Sequence, residues 1–344
     1  VVEAKGRPGR PSLLSVARGT GGGRSVVLNG HLDTVGVTGI TDPFAARIEG
    51  DRGTGRLIGR GACDMKGGVA AMVAAAEAVV ARGVAGDVVL ALVADEEHGS
   101  LGTAAVLDRL AGRLPDACLV GEPTSLDLAV AHRGYAVLEV TLVGRAAHSS
   151  QPELGVNAVT HLGRLLAAVE ARDGVLRAGP AHPTAGTGSL LATSVAGGSS
   201  PFVLAEWARA VIERRTVPGE PSTRPLQEVE DILKRLREAD GTVRALAVES
   251  LGREAWQYDG ASPAGSALAG DLTAALATAG RAPGGVGLPY WMESALWEAA
   301  GVPTVVCGPG GGGLHAADEW VDLGQVGAFA RALVPALTAF CGPA

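Results

Sequence analysis

Two adjacent carboxylates, Glu96 and Glu97, follow Asp95 at the end of the apolar run Val88-Val89-Leu90-Ala91-Leu92-Val93-Ala94. Such a run reads as a buried strand. Acid groups at its end are costly, because like charges repel and burial disfavours each ionised form. Something cationic must hold them, and the chain has no concentrated run of Lys or Arg. It does have His31, Asp33, Asp64, Glu122 and His315, each just beyond another predicted strand. On this reading the imidazoles and carboxylates converge on a pair of divalent metal ions, with Glu96 or Glu97 left free as a base. The set contains no thiolate, which suits zinc, cobalt or manganese in a catalytic site. Asp64, alone on its loop, is the natural bridge between two ions. Asp33, two residues after His31, is placed to orient that ring.

The elements that must position these residues follow from pattern. In open α/β sheets, ligands bind beyond the carboxyl ends of the strands. Short strands are predicted over 1–5, 12–17 and 25–28, the third running into Asn29-Gly30-His31. A hairpin over 46–49 and 56–59 leads to the Asp64 loop, and an Ala-rich helix follows over 68–82. A helix near 103–113 and a strand over 117–120 deliver Gly121-Glu122-Pro123-Thr124. From Gly134 the pattern changes. Ala136, Leu138, Val140 and Leu142 alternate as one strand face, and Val156, Val159, Leu162, Leu165 and Val169 keep helical spacing. Strands over 189–195 and 206–216, a helix marked by Leu226, Val229, Leu233 and Leu236, and a strand over 242–248 complete a β-α-β-β-α-β order. That order is the split unit of a ferredoxin-like domain. The expected fold class is therefore α/β: a catalytic domain over 1–133 and 251–344, with a mixed sheet flanked by helices, interrupted by an inserted α+β ferredoxin-like domain over 134–250. The last part holds helices near 266–279 and 293–300, a strand over 303–307, the Gly-rich run before His315 and an amphipathic helix over 323–340.

Bulk composition narrows the function classes. A chain of 344 residues exceeds what one hydrophobic core usually supports. Apolar content of 47% with 19% charged residues suits a globular enzyme. A net charge of −7 argues against a nucleic-acid partner, which needs clustered basic residues. The longest apolar stretch, 69–81, is interrupted by Glu77 and too short to span a bilayer, so no membrane partner is expected. Cys63, Cys118, Cys307 and Cys341 have no paired spacing and read as reduced thiols, which favours the cytoplasm. Because Val1 already lies in a predicted strand, a leader or first helix is expected to precede it.

Four runs carry a resemblance. They are Gly30-His31-Leu32-Asp33-Thr34, Gly59-Arg60-Gly61-Ala62-Cys63-Asp64-Met65-Lys66-Gly67-Gly68, Asp95-Glu96-Glu97-His98-Gly99-Ser100 and Gly121-Glu122-Pro123-Thr124. Together they resemble the dinuclear-zinc amidohydrolase/peptidase family of acetylornithine deacetylase, succinyl-diaminopimelate desuccinylase and glutamate carboxypeptidase. Gly144-Arg145-Ala146-Ala147-His148-Ser149-Ser150 is similar to that family's lid motif, and Leu314-His315-Ala316-Ala317-Asp318-Glu319-Trp320 to its final metal-ligand motif. The resemblance implies one metal on His31, Asp64 and Glu122, a second on Asp64, Glu97 and His315, and a cis peptide at Asp64-Met65. It implies Glu96 as general base, Asp33 as orienter of His31, and His148 as oxyanion donor, supplied in many members by the neighbouring subunit. Arg215 matches an arginine that grips a substrate carboxylate, although its strand parity also permits simple pairing with Glu213. The implied cofactors are two divalent ions, zinc first, with cobalt or manganese as alternatives. The inserted domain would serve as lid and dimerisation surface of a homodimer.

The implied reaction is hydrolysis of the amide bond of a small N-acyl-amino acid, with a carboxypeptidase or dipeptidase on short peptides as the alternative. Glu122 stands where family aminopeptidases and dipeptidases tend to have Asp, which favours the deacylase or carboxypeptidase. Departures fall around the substrate: Phe202 and Ala205 replace an Asn and a Pro, Glu213-Arg214-Arg215 replaces Asp-x-Arg, and Trp291-Met292-Glu293-Ser294 replaces a Trp-Thr-Asp-Ala-like run. A nucleotide-binding reading of Gly308-Pro309-Gly310-Gly311-Gly312-Gly313 fails, because no helix is predicted to start there and too little chain remains for a ribose-binding acid.

Overall fold

The structure is a computed structural model that describes residues 1–4 and 8–344. It divides into two compact units, one comprising Val1–Val130, Tyr258–Val286 and Met292–Ala344, the other Ala131–Gln257 with Gly287–Trp291.

In the first unit the strands Val2–Glu3, Pro11–Ala17, Val88–Val93, Val26–His31, Ala117–Val120 and Thr304–Val306 lie side by side in that order. Lys5, expected in the first strand, lies outside the described residues. Val26–His31 runs parallel to both Val88–Val93 and Ala117–Val120, and Thr304–Val306 is parallel to the latter. Pro11–Ala17 is antiparallel, so the sheet is mixed. The strand Val26–His31 is covered on both faces, so all six of its residues are buried, and its first three, Val26, Val27 and Leu28, are apolar as such a strand requires. The helices Gly67–Arg82 and Pro263–Thr278 both pack on Leu323–Cys341. That last helix is long and apolar enough to cross a membrane by length and composition alone. Here it turns Phe329, Leu333, Leu337 and Phe340 into the core formed with Val26, Leu28, Met72 and Leu272. A small separate sheet, Gly311–Gly312, Trp320–Asp322, Arg56–Ile58 and Arg47–Glu49, joins chain ends that sequence distance gives no reason to pair.

The second unit has the β-α-β-β-α-β order, its strands Ser189–Gly197, Trp207–Thr216, Gly134–Val143 and Arg244–Arg253 adjacent in space in that sequence and all antiparallel. Ala136, Leu138, Val140, Leu142, Ala210 and Ile212 face Leu162, Leu165, Val229 and Leu233 of the helices Ala158–Ala178 and Arg224–Ala239. The other face of the sheet leaves Val143, Trp207, Leu246 and Val248 exposed.

Arg214 interrupts this apolar pattern. Its fully buried guanidinium donates to Glu228 Oε2 and Glu220 Oε1, each at 2.8 Å. Burial pushes the Glu228 carboxyl up, but the bonds from Arg214 and Arg172 outweigh it and hold the group below the usual range. Removing Glu228 leaves the buried Arg214 with Glu220 alone, so Glu228→Ala is expected to cost stability towards the lower end of the usual range of about 3–5 kcal/mol, whereas replacing Arg214 and Glu228 together by apolar residues costs less. Denaturant unfolding of Glu228→Ala and of Arg214→Met/Glu228→Leu checks this, and equal losses would contradict it.

Candidate metal centre

The parallel register fixes where the functional side chains emerge. His31 ends its strand opposite Val93, and Asn29 sits between Ala91 and Val120. The residues that follow each strand, Asp95 to Glu97 and Glu122, therefore leave the sheet beside His31. Asp64 arrives on the turn Ala62–Lys66, whose Asp64–Met65 peptide is cis. The Met65 side chain is buried beneath it, and its sulfur accepts from the His31 backbone N–H at 3.3 Å. His315 follows the short strand Gly311–Gly312 with φ of 62°, in the left-handed region.

Two triplets result. In His31, Asp64 and Glu122, and in Asp64, Glu97 and His315, the potential ligand atoms all lie within 4.8 Å of one another. The two oxygens of Asp64 face different rings: Oδ1 is 2.9 Å from His31 Nε2 and Oδ2 is 3.2 Å from His315 Nε2. Glu97 Oε2 is 3.2 Å from His315 Nε2, while Glu97 Oε1 accepts from the Val35 N–H at 3.2 Å. Glu122 Oε1 is 3.7 Å from His31 Nε2. Glu96 belongs to neither triplet, and its Oε2 lies 4.0 Å from the same nitrogen.

Electrostatics decide what this donor set fits. Among the described residues, the only cationic groups within 4.0 Å of the Asp64, Glu96, Glu97 and Glu122 carboxylates are the two histidines. Burial drives the Glu122 and Glu96 carboxyls well above the usual range. Burial would also raise Asp64, but bonds from His31 and His315 override it and keep Asp64 low. His315, bonded to Asp64 and Glu97, is pushed up to about 10. His31 is raised despite its burial by Asp64, Glu122 and Glu96. Four carboxylates facing two imidazoles leave the cluster short of positive charge, and nitrogen and oxygen donors at these spacings fit divalent cations.

Asp33 sits where expected but spends its groups differently. His31 Nδ1 is 3.1 Å from the Asp33 carbonyl oxygen and 3.7 Å from its carboxylate Oδ1. The carboxylate instead accepts from the backbone N–H groups of Glu96 and Glu97, each at 3.2 Å. Asp33 thus ties the ring to the loop that carries both glutamates. His148 and Arg215 lie on the second unit. His148 is exposed, with Nδ1 2.7 Å from Ser150 Oγ. Arg215 pairs with Glu213, the alternative its strand parity allowed, and lies 5.3 Å from the centre of the Tyr135 ring.

Sequence reasoning gave no role to two buried carboxylates. Glu293, 2% exposed, is pushed up to about 7 by burial, with Thr103, His31 and Asn29 opposing the rise. Glu319, 1% exposed, accepts from the N–H groups of Gly61, Cys63 and Asp64 and pairs with Arg60. The available signal was that Glu319 sits four residues after His315 inside the same motif.

Comparison with known proteins matches residues 27–339 to the model of peptidase family M20/M25/M40. The chain is 34% identical over 233 residues to the acetylornithine deacetylase of Myxococcus xanthus, covering 65% of this chain and 58% of that one. It is 31% identical over 333 residues to the succinyl-diaminopimelate desuccinylase of Cereibacter sphaeroides, covering 93% and 84%. With a second desuccinylase, from Sphingopyxis alaskensis, the match covers 43% of the relative, so the chain spans about half the length of some curated relatives it matches. Among solved structures, an M20 family metallo-carboxypeptidase from Sulfolobus solfataricus superposes with a TM-score of 0.74 at 16% identity, covering 98% of this chain and 90% of that one. A dinuclear metal-binding peptidase of the M20 family from Bacillus subtilis gives 0.71 at 15% identity, covering 99% and 89%.

Proposed function

The chain belongs to peptidase family M20/M25/M40, and from that premise we propose that it is a two-metal hydrolase of the amide bond of N-acyl-amino acids. The observation that carries this reading is Asp64, whose oxygens face His31 on one side and His315 on the other while Glu96 stays outside both triplets. His31, Asp64 and Glu122 would hold one divalent ion, and Asp64, Glu97 and His315 the other, with zinc first and cobalt or manganese as alternatives. Bound there, the ions supply the Lewis acidity that brings the pKa of a water from 15.7 toward about 7.

The remaining work falls to side chains. Glu96 accepts the proton of the attacking water at its carboxylate and delivers it to the leaving nitrogen. Asp33, through its two bonds to the amides of Glu96 and Glu97, keeps that carboxylate aimed. Arg215 would bind the substrate carboxylate, and His148 would donate to the tetrahedral oxyanion. His148→Ala should lower kcat by about 10²–10³-fold with metal content unchanged. Loss of metal in that variant, read by elemental analysis, would make His148 a ligand instead.

A carboxypeptidase or dipeptidase using the same residues is the second reading, because the same attack by an activated water cleaves a peptide bond as well as an N-acyl amide. A hydrolysis panel of N-acetyl-amino acids, N-succinyl-amino acids and dipeptides separates the two. The ferredoxin-like unit, with its exposed apolar face, is read as a lid that also joins two copies. The four buried, unpaired cysteines support a reducing, cytoplasmic setting.

A further inference from the structure

We propose that Arg60 and Glu319 are a positioning pair that fixes Asp64 and His315 relative to each other and thereby governs the metal position these two share with Glu97. The inference rests on the two-ion reading above.

The small sheet brings the pair together. Trp320 faces Ile58 across it, and the Gly59 N–H donates to the Glu319 carbonyl at 3.0 Å, so Arg60 and Glu319 leave adjacent strands side by side. Every acceptor direction of the Glu319 carboxylate is then used on one turn. Oε1 accepts from the N–H groups of Cys63 at 2.9 Å and Asp64 at 3.0 Å. Oε2 accepts from the Gly61 N–H at 3.0 Å and from Arg60 Nη1 at 2.7 Å. The second arm of the same guanidinium, Nη2, donates to the His315 carbonyl at 3.1 Å. One buried ion pair therefore grips the turn that carries Asp64 and the backbone that carries His315.

Packing alone does not call for these charges. Both side chains are at most 3% exposed, and an apolar pair of similar volume would fill the space but would leave the Gly61, Cys63 and Asp64 N–H groups and the His315 carbonyl without these partners. What an apolar pair lacks is the planar fork that reaches a carboxylate and a carbonyl at once. The carbonyl it reaches belongs to a residue in the left-handed region, a conformation that residues other than glycine keep only where neighbours fix it. Asp64 serves both triplets, but His315, whose carbonyl Arg60 holds, serves only one, and His31 and Glu122 receive nothing from the pair, so its loss should weaken both metal positions and the one at His315 more.

The test is calorimetric titration of cobalt(II) into metal-free protein, for wild type, Arg60→Lys and the double variant Arg60→Met/Glu319→Gln, which leaves no lone buried charge. Circular dichroism confirms folding. Wild type should bind two ions. Both variants should weaken one binding step by about 10–100-fold, the usual effect of losing a group that orients a ligand, and the other step by clearly less. Unchanged steps, both steps weakened equally, or failure of both variants to fold would overturn the proposal and leave the pair a packing feature. If wild type bound fewer than two ions, the two-ion reading itself would fall.

Discussion

Glu96→Ala is expected to lower kcat by about 10²–10⁴-fold, the range for removing a general acid–base group, while the purified protein retains both metal ions. Position sets the expectation. Glu96 Oε2 approaches His31 Nε2 to 4.0 Å without joining either ligand triplet, and Asp33 Oδ1 holds its backbone N–H. Burial keeps its carboxyl well above the ordinary range, with the nearby carboxylates Glu122 and Asp64 adding to the rise and His31 opposing it. A buried carboxyl outside both ligand triplets is placed to take a proton and give it back. Glu96→Gln keeps the volume and should fail equally. Near-normal turnover in either variant would show the base is misassigned, and loss of one ion would make Glu96 a ligand.

The second large effect is expected at Asp64. Asp64→Ala should empty both metal positions and reduce hydrolysis to background, because one carboxylate serves both triplets. His315→Ala should cost one ion and leave the position at His31 and Glu122 filled. Elemental analysis of the two variants beside wild type distinguishes these cases. If Asp64→Ala retained one full equivalent of metal, Asp64 would not bridge.

Much of the site was legible because parallel strands advertise their ends. The runs 26–28, 88–93 and 117–120 are apolar without alternation, so His31, Glu96, Glu97 and Glu122 stand out where each run stops. The ferredoxin-like order was legible for the opposite reason: a half-buried antiparallel strand alternates, as Ala136 to Leu142 does. Other features leave no such mark. Strands of two to five residues, such as Trp256–Gln257 and Leu128–His132, are too short to show a period. The small sheet pairs Arg56–Ile58 with Trp320–Asp322, and nothing local announces a partner that far along the chain. Nothing in the spacing of Arg60 and Glu319 announces that the small sheet buries them together. Asp33 shows the limit of spacing: lying two residues from His31 puts it beside the ring, yet spacing could not say that its carbonyl would face the ring and its carboxylate the Glu96–Glu97 amides.

Zinc-edge anomalous scattering from crystals of the metal-loaded protein bears most directly on the proposed two-ion centre. Two peaks are expected within coordination distance of Asp64, one also touching His31 and Glu122, the other Glu97 and His315, with Glu96 bound to neither. A single peak, or two peaks that do not share Asp64, would contradict it.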